Sequence, residues 1–145
     1  MAETTLLVRL HWYRVSEKDD PRWKHDLALY AYLAPLKAEI HYIGKCDRTS
    51  VRGRWCYSAK PDVWDCIERR SKAHRHIVAE IETEQRLTRE LVSDIESLLI
   101  YRVHQIQPLC NVLNTASRGK YSRPGMKIQC RGAWPLSQKT FSDED

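Results

Sequence analysis

The 145-residue chain has no apolar run near the roughly 18 residues that a membrane-spanning helix needs. It also has no N-terminal signal-peptide pattern. The stretch Thr5-Leu6-Leu7-Val8 is short, and Arg9 and His11 interrupt it at once. A soluble protein that stays in the cytoplasm, without a membrane partner, is therefore expected. No CxxC pair occurs among the five cysteines, Cys46, Cys56, Cys66, Cys110 and Cys130. Three of them stand ten residues apart, whereas zinc sites bring ligands together in pairs two to four residues apart. An odd set without such pairs argues against both a disulfide framework and a zinc site, and for free thiols in a reducing compartment. Internal repeats, Pro/Gly-rich linkers and low-complexity segments are missing too, and 17.1 kDa is too little for two ordinary cores. The expectation is one domain over residues 1–145.

What is present is an uneven charge pattern beneath a net +5. Between His41 and His76 there are nine Lys or Arg against four acids, and between Ala116 and Gly132 five against none. Ala79 to Gln107 reverses this, with six carboxylates and three Arg. Basic segments on either side of an acidic one fit a polyanion-binding surface, and solvated faces arranged by chance fit them equally well.

The hydrophobic pattern gives an element order. Thr5 to Val15, Leu27 to Leu33, Ile40 to Gly44, His76 to Ile81 and Met126 to Arg131 carry the β-branched, aromatic or alternating residues of strands. Ser50 suits the cap of a helix from Val51, and Pro61 suits the first turn of a helix to Arg70. Thr88 opens a longer helix whose stripe is Leu91, Ile95, Leu98, Leu99 and Val103, with Pro108 ending it. A basic extension follows over residues 116–135, then an acidic tail at 142–145. This order predicts an α+β fold with a small mixed, mainly antiparallel β-sheet flanked by helices.

Three groups of residues carry candidate chemistry. Tyr32 and Tyr42 fall on neighbouring strands, and Ile43-Gly44-Lys45 follows the second; sheet packing alone would also place aromatics there. Arg52 and Arg54 open the next helix, and a planar guanidinium suits phosphate. Glu96 flanks the apolar stripe of the Thr88 helix while Asp94 points away from it. A carboxylate so placed needs an ion partner, a proton or a metal.

Tyr30-Ala31-Tyr32, Tyr42-Ile43-Gly44-Lys45, the following Arg, Glu96 and Pro108-Leu109-Cys110-Asn111 together resemble the signature of the GIY-YIG nuclease superfamily. The similarity runs from about residue 27 to 111 in fixed order. It implies a metal-dependent endonuclease acting on phosphodiester bonds in DNA. Tyr32 would stand at the attacking water, with Tyr42 and Lys45 orienting water and phosphate. Arg54 would hold the scissile phosphate, Glu96 would bind one Mg2+ or Mn2+, and Asn111 would brace the site. Tyr30 stays an alternative to Tyr32, Arg52 to Arg54, and Tyr57 fits the position one turn past the Arg. The DNA surface implied comprises Lys45, Arg48, Arg52, Arg54, Arg118, Lys120 and Arg123. Many relatives carry a separate DNA-binding domain, so a single domain points to weak intrinsic specificity, dimerisation or a targeting partner. Two competing readings keep the chemistry out: a nucleic-acid-binding module on the same fold, or a protein-interaction domain using the acidic tail and five tryptophans.

Overall fold

The computed structural model describes residues 5–15, 27–46, 61–110 and 125–142. Within them lie six strands and two helices. In chain order these are β1 (Leu6–Arg14), β2 (Ala28–Leu33), β3 (Ile40–Cys46), α1 (Pro61–Arg70), β4 (Arg75–Thr83), α2 (Arg89–Ile106), β5 (Met126–Gly132) and β6 (Thr140–Ser142). The strands form one sheet in the order β3-β2-β4-β1-β5-β6. Four of the five pairings are antiparallel and β1–β5 is parallel, so the sheet is mixed and mainly antiparallel.

Both faces of this sheet are covered, and β2 shows why its six residues are all buried. Leu29, Ala31 and Leu33 enter one apolar cluster with β1, β4, β5 and α2. Ala28, Tyr30 and Tyr32 enter a second, smaller cluster with Ile67 of α1 and Cys110. Period-two alternation sends successive side chains to opposite faces. A strand covered on both sides is then apolar throughout.

Helix α2 lies on the first face and packs against β2 and both edge strands, β3 and β6. Touching both edges requires the sheet to curl around the helix. Thr88 caps α2, its hydroxyl accepting from the Leu91 amide at 3.2 Å. At the far end Gln107 turns to the rim of β3, where its Oε1 accepts from the Ile40 amide at 2.9 Å and its Nε2 donates to the Ile40 carbonyl. A side-chain amide thus satisfies one donor and one acceptor that a sheet edge leaves unpaired. Cys110 continues along the same rim, its amide donating to the His41 carbonyl at 2.8 Å.

Strand β6 is absent from the sequence-based order, which assigns Ser142 to an acidic tail. The sheet ends instead with Phe141 fully buried and Arg102 of α2 donating from Nε to the Ser142 carbonyl at 2.8 Å. Three residues give too short a pattern to read as a strand, and the burial of Arg102 is invisible in composition. Strand β4 is also longer than expected, running from Arg75 to Thr83. The helix expected from Val51 lies outside the described residues.

Candidate functional site

Tyr32 and Tyr42 are direct cross-strand partners in the β2–β3 hairpin, and Tyr30 stands opposite Gly44. Paired residues on adjacent strands point to the same face, so the three phenols gather on the α1 side of the sheet. Their ring centroids are 5.6 Å apart for Tyr32–Tyr42, 5.8 Å for Tyr30–Tyr32 and 6.1 Å for Tyr30–Tyr42. Tyr30 and Tyr32 are buried and Tyr42 is half-buried.

Gly44 makes this arrangement possible. A Cβ at that position would lie 2.5 Å from Tyr30 Cζ, 2.6 Å from Tyr30 Oη and 2.8 Å from Tyr42 Cε1. The glycine is needed here for close approach, with the phenol head of Tyr30 resting on its backbone.

Histidines that the sequence reading did not single out surround the tyrosines. His76 of β4 pairs with Tyr32 and meets its ring edge-on at 5.3 Å. His74 lies 6.2 Å from the Tyr32 ring and 5.3 Å from that of His41. His41 sits at the bulge where the β2–β3 register shifts, and only 2% of it is exposed. Burial holds all three below the ordinary histidine range, with His74 adding to the shift at His76, which falls to about 4. These rings are therefore neutral near pH 7. The signal for two of them was the spacing His74-x-His76 at the start of a strand whose His76 pairs with Tyr32, which only a known register makes readable.

A charged pair closes this end of the cluster. Arg70 at the end of α1 donates to Glu39 Oε1 at 2.5 Å and to the Pro108 carbonyl at 3.0 Å. Burial of Glu39 opposes its ionisation. The Arg70 hydrogen bond and charge outweigh that, so the carboxyl stays below its usual range. Arg75 fixes the hairpin turn beside it, donating to the Ala34 carbonyl and the Lys37 carbonyl at 2.9 Å each.

Lys45 and Glu96 stand elsewhere. Lys45 pairs with Leu29, whose side chain is in the α2-side core, and its Nζ donates to Ser93 Oγ on α2. It is thus turned to the face opposite the tyrosines. Glu96 lies one helical turn beyond Ser93 on α2, half-buried beside the buried Val92, Leu99 and Ile100. Asp94, expected to point away from the stripe, is half-buried as well. Helix α2 lies within a curled sheet and is covered over more of its circumference than one stripe allows for.

Among the described residues, no group of three or more His, Cys, Asp or Glu side chains is placed to hold a metal ion. Glu96 supplies one half-buried carboxylate, an oxygen donor of the kind that a hard divalent cation such as Mg2+ takes while keeping most of its water ligands. Arg48, Arg52, Arg54, Tyr57, Asn111, Arg118, Lys120 and Arg123 lie outside the described residues. No helix among the described residues is long and apolar enough to cross a membrane. No protein-family model, curated protein or solved structure matches the chain.

Proposed function

We propose that the chain is a GIY-YIG-like endonuclease that hydrolyses phosphodiester bonds in DNA with Mg2+ or Mn2+. The observation that carries this reading is the tyrosine cluster. Tyr32 and Tyr42 are cross-strand partners, and Tyr30 seats its phenol over Gly44 of the triplet Tyr42-Ile43-Gly44. Glycine at the third place of that triplet permits the close approach.

In this reading Tyr32 orients and deprotonates the attacking water, with Tyr30 as the alternative, and Tyr42 aligns the phosphate. An unperturbed phenol titrates near ~10, so a base at neutral pH needs positive charge close by. Neutral His76 contributes none, and Lys45 is committed to Ser93 on the other face. The task therefore falls to Arg54 or Arg52, which also holds the phosphate bidentately. Glu96 is the residue that would hold the ion, which when bound polarises the phosphoryl oxygen. Cytoplasmic location and action on DNA, alone, as a dimer or with a targeting partner, belong to the same proposal.

The test is incubation of supercoiled plasmid with the protein and Mg2+ or Mn2+. Nicking by the wild type and its loss in Tyr32→Phe and Glu96→Ala support the reading. The placement of Lys45 and α2 across the sheet from the tyrosines favours a second reading, a non-catalytic nucleic-acid-binding module. Steeply salt-dependent DNA binding with no nicking under any metal would select that one.

A further inference from the structure

The apolar cluster on the α1 side of the sheet contains two thiols that the proposed chemistry does not use. Cys66 is on α1 and Cys110 follows α2, yet both pack into the cluster formed by Tyr30, Tyr32 and Ile67. Both are free thiols, Cys110 buried and Cys66 half-buried. Arg70 reaches the same corner, donating to the Pro108 carbonyl two residues before Cys110, and the Cys66 and Arg70 side chains both lie close enough to Cys110 to shift its ionisation. Cys110 is also pinned through its backbone, since its amide donates to the His41 carbonyl. Two thiols from distant parts of the chain thus meet at one cluster, one partly open to solvent and one buried.

We propose that Cys66 and Cys110 form a redox-active dithiol, a site at which a hydroperoxide closes a disulfide between α1 and the segment beyond α2. Cys66 is the thiol that reacts first, because solvent reaches it. With hydrogen peroxide as the hydroperoxide, its sulfur attacks one peroxide oxygen, the O–O bond breaks, and the departing hydroxide takes up the Cys66 proton as water. Cys66 is then a sulfenic acid. The Cys110 sulfur attacks the sulfenic sulfur and the S–O bond breaks. The hydroxide released leaves as a second water with the Cys110 proton. Two thiols lose two electrons in all, and one hydroperoxide is reduced.

The site explains its own division of labour. Burial and the neighbouring Cys66 raise Cys110 above the ordinary thiol range, against the pull of Arg70, which leaves the first attack on the peroxide to Cys66. The fully shielded Cys130 lies in the other cluster, on the α2 side of the sheet. The new bond would tie the C-terminal half of α1 to the rim of β3, beside the tyrosines.

The test treats the folded full-length chain with a stoichiometric excess of hydrogen peroxide, blocks remaining thiols and maps peptides without reduction. The expected result is a Cys66–Cys110 cross-linked peptide, reversed by dithiothreitol and missing in Cys66→Ser. Retention of both thiols would overturn the proposal. So would over-oxidation of Cys66 with Cys110 unlinked, or a cross-link from Cys66 to Cys46, Cys56 or Cys130. Cys66→Ser changes a partly exposed position, and a circular dichroism spectrum matching the wild type shows that it folds. The readout is a bond within the protein, so it stands or fails independently of DNA cleavage.

Discussion

Gly44 and Tyr30 define the tightest contact in the tyrosine cluster, and their interdependence can be measured. Gly44→Ala would drive a methyl group into the Tyr30 and Tyr42 rings. Overpacking of this kind costs about 1–3 kcal/mol. Urea denaturation should show that loss as a lower midpoint. Adding Tyr30→Ala should recover part of it, so that the double variant loses less than the sum of the two single ones. Strict additivity would mean that the ring does not rest on the glycine. His76 supplies a second residue-scale prediction. Its folded value of about 4 lies below the unfolded value of about 6.5, so the unfolded chain binds the proton more readily. Stability should therefore be full above pH about 6.5 and decline as the pH falls towards 4. For a partly exposed ring the loss is about 2 kcal/mol or less after solvent screening. In His76→Asn the melting temperature should fall less steeply between pH 7 and 4.5 than in the wild type. Parallel curves would remove His76 as a cause.

At the scale of elements, α2 organises the fold from inside the curl of the sheet. Its anchor to β6 is one guanidinium, Arg102, buried to 8% exposure and bonded to the Ser142 carbonyl and to Gln105. Arg102→Met keeps apolar volume but removes the charged donor to that carbonyl at the end of β6. A loss of about 1–3 kcal/mol is expected. Faster amide hydrogen exchange should appear in Lys127, Ile128 and Gln129 of β5, the partners of β6, before β1 is affected. Uniform loosening of all strands would contradict this division. The elements that sequence patterns predicted well are those with caps or long periodic runs. Pro61 to Arg70 appears as α1, and Thr88 is the cap of α2. The three-residue β6 has no period long enough to detect. The facing of Lys45 escaped for another reason. A motif is read as consecutive letters, while a strand sends consecutive side chains to opposite faces. Tyr42 and Gly44 accordingly share a face with Tyr30 and Tyr32, whereas Lys45 meets α2.

For the whole molecule, the mixed sheet has a face rich in tyrosine and histidine under α1, and around α2 a face of aliphatic side chains with Trp12, Trp134 and Phe141. The sequence indicated the tyrosine half of the candidate site because Tyr30, Tyr32 and Tyr42-Ile43-Gly44 stand in motif-like order on neighbouring strands. His74 and His76 were hidden because β4 joins the hairpin only through the sheet order, and His41 because a bulge within the hairpin sets its position. The proposed nuclease makes its sharpest demand here, since Glu96 rides on a helix packed against the other face. Catalysis would require the Glu96 carboxylate and the Tyr32 phenol to serve one phosphate around the β3 edge. The most direct measurement is nicking of supercoiled plasmid by wild type, Tyr32→Phe and Glu96→Ala, each with Mg2+, Mn2+ and chelator. The account predicts metal-dependent nicking by the wild type and at least about a hundredfold loss in each variant, the scale of removing a group that acts in the transition state. No cleavage by the wild type with either metal, or cleavage that survives Glu96→Ala, would contradict it.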